Sequence, residues 1–272
     1  MSANPRPDAG SRPVTVPDFL AAKAQGRKLA VVTAYDYALA RIVDSAGVDS
    51  VLVGDSLGMV VQGREHCLEV TLRDVIYHTR CVARGVRRSL IVSDMPFMTY
   101  QVSPQQALAS AGQLVQEGGA HAVKLEGGAR SADAIAAIVA AEIPVMGHVG
   151  LTPQSVRRIG GFRVQRDEAQ IVADAKAVEQ AGAFAVVVEC VPASVAARIT
   201  NELKIPTIGI GAGSICDGQV LVGYDLLGMF DDVRPKFVKR YAELGDAVRK
   251  AVEGFCKEVR GGQFPGDEHE FH

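Results

Sequence analysis

Several short apolar runs in this chain stop on a charged or hydrogen-bonding side chain: residues 50–53 before Gly54 and Asp55, 90–93 before Asp94, 122–125 before Glu126, 145–147 before His148, and 185–188 before Glu189. A strand buried on both faces has no packing reason to end in an acid. If these runs lie parallel and side by side, their carboxylates gather at one rim. Side chains alternate along a strand, so Lys124 and Glu126 share a face while Val123 and Leu125 take the other. In a closed barrel that pair points inward near the C-terminal rim, where the loops after other strands deliver Asp55, Asp94 and Glu189. Carboxylates this close to one another require that one holds a proton or that a cation binds. Oxygen donors without cysteine or paired histidine point to Mg²⁺ rather than zinc. The competing reading makes Lys124 and Glu126 a structural ion pair and the aspartates helix caps.

The elements that must position these groups follow from a repeated unit of helix, glycine stop, buried strand and acid. Gly119 to Glu126 and Gly182 to Glu189 place the acid at the same offset, and Gly47 to Asp55 places it one residue later. Strands are expected at 29–34, 50–53, 90–93, 122–125, 144–148, 185–188, 206–210 and, weakly, 219–222. Helices are expected at 17–25, 38–45, 71–83, 103–117, 131–141, 167–181 and 192–203. Pro104 after Ser103, and Thr71 with Asp74, read as helix starts. About eight strand-helix units in 272 residues predict a (β/α)8 TIM barrel, since such barrels need about 250 residues. No Gly-x-Gly-x-x-Gly follows the first strand, which removes the signature of an open dinucleotide-binding sheet. The expected domains are a flexible tail over 1–14, one barrel over 15–260 and a C-terminal tail over 261–272. The amphipathic stretch 235–259 would cover a barrel end or contact another subunit.

Composition narrows the function classes. With 29 basic against 31 acidic residues and no long basic tract, nucleic acid is not an expected partner. Arg84, Arg87 and Arg88 cluster where a helix ends, which the helix dipole favours. No apolar run approaches the ~20 residues a bilayer span needs, and the N-terminus lacks the apolar core of a secretory signal, so a cytoplasmic protein without a membrane partner is expected. The five cysteines lack Cys-x-x-Cys spacing and are expected to be reduced. Cys190 stands beside Glu189, near the rim. His148 suits substrate or metal binding as well as a hydrogen-bonded structural role. Gly209 to Gly213 suits a phosphate as well as tight packing.

Six segments in order carry a family resemblance: Val53-Gly-Asp-Ser-Leu-Gly-Met59, Ser93-Asp-Met-Pro-Phe-Met98, Val123-Lys-Leu-Glu-Gly-Gly128, Pro144-Val-Met-Gly-His-Val-Gly-Leu-Thr-Pro-Gln154, Val188-Glu-Cys-Val-Pro192 and Thr207-Ile-Gly-Ile-Gly-Ala-Gly213. They resemble the ketopantoate hydroxymethyltransferase family, over roughly residues 15–241. The loop from Gly161 to Asp167 reads shorter than the family's Gly-containing version. The resemblance implies a barrel of the phosphoenolpyruvate/pyruvate superfamily type, assembled as a homo-oligomeric decamer. It implies transfer of a hydroxymethyl group from 5,10-methylenetetrahydrofolate to 3-methyl-2-oxobutanoate, giving 2-dehydropantoate for pantothenate and coenzyme A synthesis. Carried onto this chain, Asp55 and Asp94 would bind Mg²⁺, with Glu126 reaching it directly or through water. Asp55, Ser56, Asp94 and Lys124 would hold the keto acid, and Glu189 would be the general base. Two other readings stand beside it. Lys124 could act as a Schiff-base nucleophile, against which Glu126 argues by favouring the ammonium. The chain could also be a silent barrel that binds a carboxylate metabolite, although no base or ligand is missing.

Overall fold

Gly47, Gly119 and Gly182, the stops of the repeated unit, all have left-handed backbone (φ 91°, 80° and 95°), a conformation that costs little only without a Cβ. Each reverses the chain from a helix into a buried strand. The computed structural model describes residues 12–232 and 234–271. Its strands are β1 (Leu29–Thr33), β2 (Ser50–Val53), β3 (Leu90–Asp94), β4 (Ala122–Lys124), β5 (Val145–Gly150), β6 (Ala185–Glu189), β7 (Thr207–Ile210) and β8 (Gly218–Leu221). All pairings are parallel and run in chain order, and β8 returns to β1, so the sheet closes into a barrel.

The helices are α1 (Val16–Ala24), α2 (Tyr37–Ser45), α3 (Leu57–Val60), α4 (Leu72–Gly85), α5 (Pro104–Gln113), α6 (Ala132–Ala140), α7 (Val156–Ile159), α8 (Glu168–Gln180) and α9 (Ala193–Glu202). Their starts are fixed by short polar side chains. Asp36 accepts from Leu39 N at 2.9 Å, Thr71 and Asp74 form a reciprocal box, and Asp167 accepts from Gln170 N at 3.1 Å. The expected helix 103–117 is present in two parts, since α5 continues as a π turn, Leu114–Gly118, where Gly118 lies against Thr79 of α4.

The period of two decides what the barrel encloses. One face of the strands carries Leu29, Val31, Leu52, Leu90, Val92, Ala122, Met146, Ala185, Val187, Ile208 and Val220, which form a single apolar cluster. Phe19 and Ala22 of α1 join it from the N-terminal end, with Phe19 edge-to-face on Phe184 at 5.7 Å. Truncating Phe19 to alanine would cost about 3–5 kcal/mol. That end is therefore filled with apolar side chains, and reagents must enter from the other. The opposite strand face packs on the helices, and at Gly147 of β5 a Cβ would stand 2.3 Å from Val178 of α8.

The structure bears on three expectations. β5 runs on to Gly150, so His148 lies inside the strand rather than at its end, because β6 pairs with it as far as Gly150 and Glu189. Residues 1–11 of the expected N-terminal tail lie outside the described residues, whereas Val14 is buried in the core cluster and its N–H donates to Arg88 O at 2.7 Å. The chain also divides into two compact units, one ending at Val222 and one beginning at Gly223. The strand repeat stops at Leu221, so residues beyond it have no barrel position to fill.

The second unit contains α10 (Gly223–Leu226) and α11 (Leu244–Arg260), and the amphipathic stretch 235–259 is helical only from Leu244. Arg240 holds the intervening loop, donating to Phe230 O at 3.0 Å and pairing with Asp231 and Glu243. Along α11, Val248, Val252, Phe255 and Val259 form an exposed apolar stripe. Among the described residues no helix is long and apolar enough to cross a membrane.

Candidate active site

Two residues beyond the apolar layer, the same strand faces carry Thr33, Asp94, Lys124, His148 and Glu189. Asp55 and Glu126 follow β2 and β4 on the same side of the barrel. Asp55, Asp94, Lys124, Glu126 and His148 are all at most 4% exposed, and the Glu189 side chain is 14% exposed. The residues expected at one rim are therefore brought together in a pocket closed below by Val92, Ala122, Met146 and Val187.

Register explains the central pair. Asp94 and Lys124 are cross-strand partners, and Lys124 Nζ stands 2.7 Å from Asp94 Oδ1. The other oxygen of Asp94 accepts from Asp55 N at 2.9 Å, so the loop after β2 is pinned to the end of β3. Neither aspartate caps a helix. Asp55 Oδ2 accepts instead from Gln154 Nε2 at 2.9 Å, and the Cys67 thiol donates to Asp55 as well.

The titration behaviour follows from burial and crowding. Burial pushes Asp55 up to about 7, and the neighbouring Asp94 adds to that while Lys124 pulls against it. Glu126 is driven well above the usual carboxylate range by burial and then by Asp55. Burial alone would lower Lys124, but Asp94, Glu126 and Asp55 outweigh it and hold the ammonium charged. A charged Lys124 is a poor amine nucleophile, which weighs against the Schiff-base reading.

His148 lies between this cluster and Glu189. Burial and then Lys124 depress its basicity, so the imidazole is neutral. Lys124 Nζ lies 3.3 Å from His148 Nδ1, and an ammonium can only donate, which assigns the ring proton to Nε2. Nε2 stands 3.1 Å from Glu189 Oε2, although off the line of a hydrogen bond. Burial raises Glu189 to about 7, against the pull of Lys124.

The donor set suits a hard divalent cation. Asp94 Oδ1 and Glu126 Oε1 are buried and accept no aligned hydrogen bond; the first has only the off-line contact with Lys124 and the second lies 3.5 Å from His148 Nδ1. Among the described residues no three His, Cys, Asp or Glu side chains form a ready cage. One or two carboxylates completed by water and substrate oxygens is the manner in which Mg²⁺ is held, so Asp55 and Asp94 fit it, with Glu126 behind them.

Other expected residues fall into place around this cluster. Ser56 meets Tyr35 OH at 2.8 Å, and Thr33 Oγ1 donates to the same phenol at 2.8 Å, which makes a hydroxyl chain from the end of β1. Cys190 has φ 49° and a thiol pushed up to about 12 by burial and Glu189, so it is a poor nucleophile at neutral pH. A Cβ at Gly213 would meet Ala193 at 2.7 Å, and Gly213 O accepts from Gln219 at 2.9 Å, so packing accounts for that loop.

Sequence reasoning missed Gln154 and Tyr100. Gln154 Nε2 reaches both Asp55 and Met95 O, its Oε1 accepts from Tyr100 OH at 2.7 Å and Gln101 Nε2 at 3.1 Å, and its backbone N–H donates to Glu126 Oε2 at 3.0 Å. It thus ties the loops after β2, β3, β4 and β5 together. The only available signal was its place at the end of the longest matching segment.

Comparison with known proteins bears on what such a pocket does. The phosphonopyruvate hydrolase structure with oxalate and Mg²⁺ matches with a TM-score of 0.62 at 15% identity, covering 94% of this chain and 91% of that one. A 2,3-dimethylmalate lyase of the PEP mutase/isocitrate lyase superfamily matches with a TM-score of 0.60 at 18% identity over 94% and 91%. At such identities the likeness shows the fold alone, a closed TIM barrel. In sequence, the chain is 55% identical over 261 residues to the 3-methyl-2-oxobutanoate hydroxymethyltransferase of Clostridium beijerinckii, covering 94% of this chain and 95% of the relative. The family model described as ketopantoate hydroxymethyltransferase matches residues 13–267. With a match spanning nearly the whole length and a relative more than half identical, the chain is a hydroxymethyl-transferring enzyme and belongs to the ketopantoate hydroxymethyltransferase family.

Proposed function

We propose that the pocket transfers a hydroxymethyl group from 5,10-methylenetetrahydrofolate to 3-methyl-2-oxobutanoate and releases 2-dehydropantoate, in the cytoplasm, as a step toward pantothenate. The observation that carries this reading is the layer of Asp94, Lys124, His148 and Glu189 on the inner barrel face, one step beyond the apolar core. The ammonium of Lys124 neutralises the keto-acid carboxylate, and Ser56, oriented by Tyr35, donates to a substrate oxygen. Asp55 and Asp94 hold Mg²⁺, with Glu126 directly or through water. Bound there, Mg²⁺ acts as a Lewis acid on the keto group, a contribution of several kcal/mol.

Glu189 is the general base. It removes the proton from C3 of the keto acid, leaving the electron pair delocalised toward the ketone. A carboxylate tuned to about 7 both ionises at neutral pH and accepts a proton readily, a contribution of roughly 10²–10⁴ in rate. Neutral His148 stands against Glu189 without competing for that proton. C3 then bonds to the methylene carbon as that carbon's bond to one folate nitrogen breaks, water displaces the second nitrogen and supplies the hydroxyl oxygen, and tetrahydrofolate leaves with one proton from that water and the one Glu189 had taken. We take the working form to be a decamer, as the family resemblance implies, and the exposed apolar stripe on α11 supports self-association.

The test is direct. Purified protein, Mg²⁺, 3-methyl-2-oxobutanoate and methylenetetrahydrofolate should yield 2-dehydropantoate, and a chelator should abolish the yield. Full activity in chelator, with borohydride trapping the substrate on Lys124, would replace this mechanism by an imine one.

A further inference from the structure

A cavity of about 300 Å³ opens beside the catalytic cluster, between the loops that follow β3, β4 and β5. We propose that it receives the p-aminobenzoyl-glutamate half of the folate co-substrate, with Arg130 as the partner of a tail carboxylate. This rests on the functional reading above and adds the place and the contact.

Position is the first ground. Glu126 forms part of the cavity wall and is also 3.5 Å from His148 Nδ1. Tyr100, another wall, hydrogen-bonds to the Gln154 that holds Asp55. A molecule in the cavity therefore borders the reaction centre. The one-carbon unit of the folate sits where its fused heterocycle meets the p-aminobenzoyl group, so a benzoyl ring here keeps the reacting carbon toward Glu126.

Charge is the second ground. Arg130 makes no ion pair among the described residues; its Nη2 donates only to Ser155 Oγ at 3.0 Å and, weakly, to Thr152 Oγ1 at 3.5 Å. The keto acid has Lys124 for its own carboxylate, so an unpaired guanidinium on the neighbouring cavity suits the second anionic substrate. Arginine's planar fork matches a carboxylate in two-point contact.

Surface chemistry and size are the third. Phe97, 37% exposed, offers aromatic surface for a ring beside the buried Tyr100, and Gln101 offers an amide for the benzoyl-glutamate linkage. About 300 Å³ lies at the small end of ligand sites, enough for part of an extended folate.

The experiment compares wild type with Arg130→Met as full-length, Mg²⁺-loaded enzyme. KM for methylenetetrahydrofolate should rise about ten- to hundredfold, the loss of a charged two-point hydrogen bond, with kcat little changed. Inhibition by p-aminobenzoyl-glutamate should weaken by the same factor, while the weaker inhibition by p-aminobenzamide, which lacks both carboxylates, should not change. A purely structural Arg130 would weaken both inhibitors alike, and that result overturns the proposal, as does an unchanged KM. Arg130→Lys and Phe97→Ala provide the same comparison if Arg130→Met fails to fold: the first should weaken only the carboxylate-bearing inhibitor, the second both. Wild type that exchanges the C3 proton of the keto acid but never turns over with folate would instead remove the functional reading. Arg130-dependent binding of p-aminobenzoyl-glutamate, measured by calorimetry, would then still decide the subsite.

Discussion

Replacing Gln154 by leucine should show how far the site depends on an uncharged residue. The substitution keeps the backbone N–H that donates to Glu126 but removes the side-chain amide. Asp55 Oδ2 and Met95 O then lose the amide donor that stands 2.9 and 3.0 Å away in the intact protein, and the Tyr100 hydroxyl, which still accepts from Glu126 N at 3.2 Å, loses the acceptor of its own proton at 2.7 Å. Each orphaned group costs roughly 1–3 kcal/mol, with the charged Asp55 at the upper end, so the loss should total about 3–6 kcal/mol less whatever the leucine recovers by burial. Asp55 would also lose a donor that favours its charged form, which pushes its already raised pKa higher and lowers its affinity for Mg²⁺. Denaturant unfolding without metal should therefore give a lower midpoint, and calorimetry at neutral pH should find Mg²⁺ bound about tenfold more weakly or worse. A variant with wild-type stability and wild-type Mg²⁺ affinity would refute the role assigned to Gln154.

Further consequences can be measured separately. Glu189 must be ionised to act, so the rate of C3 proton exchange should climb about tenfold per pH unit on the acid side and level off above about pH 7; a flat profile from about pH 5 to about pH 9 would exclude it as the base. Asp55 and Glu189, both raised to about 7, keep protons in the folded state that the unfolded chain releases near pH 4. Their contribution to stability is thus complete below about pH 4 and is lost as pH rises through about 7, on the order of a few kcal/mol, and Mg²⁺ should restore the melting temperature most at alkaline pH. Asp44→Ala should destabilise by about 3–5 kcal/mol without touching the site, because its carboxylate accepts from Arg87 N at 2.8 Å and from Ser89 N and Ser89 Oγ at 2.7 Å; a loss under about 1 kcal/mol would show those bonds to be replaceable by water.

What was legible in the sequence was whatever depends on neighbours along the chain. The left-handed glycines, the helix caps and the apolar runs are local signals, and the period of two assigns Lys124 to the barrel interior, whereas Asp94 and Glu189, expected on loops, are the last residues of β3 and β6. What failed depends on distant partners. The two residues beyond His148 are strand because β6 pairs with them, and nothing in Val149-Gly150 itself announces it. Gln154 meets Asp55 across 99 positions, and a glutamine in a loop carries no signal of that role. The amphipathic pattern of 235–259 was real, yet its first part is held as irregular loop by Arg240 instead of by helical bonds. The Asp55 carboxylate is likewise claimed by Gln154 and Cys67 rather than by a helix start, which no spacing rule could distinguish.

The most direct measurement follows hydrogen exchange at C3 of 3-methyl-2-oxobutanoate in D₂O with Mg²⁺ and no folate, in wild type and in Glu189→Gln. Wild type should exchange the proton, and the variant should be slower by roughly 10²–10⁴ while still binding both metal and keto acid. Exchange by Glu189→Gln at the wild-type rate would contradict a site in which the acid at the end of β6 takes the substrate proton.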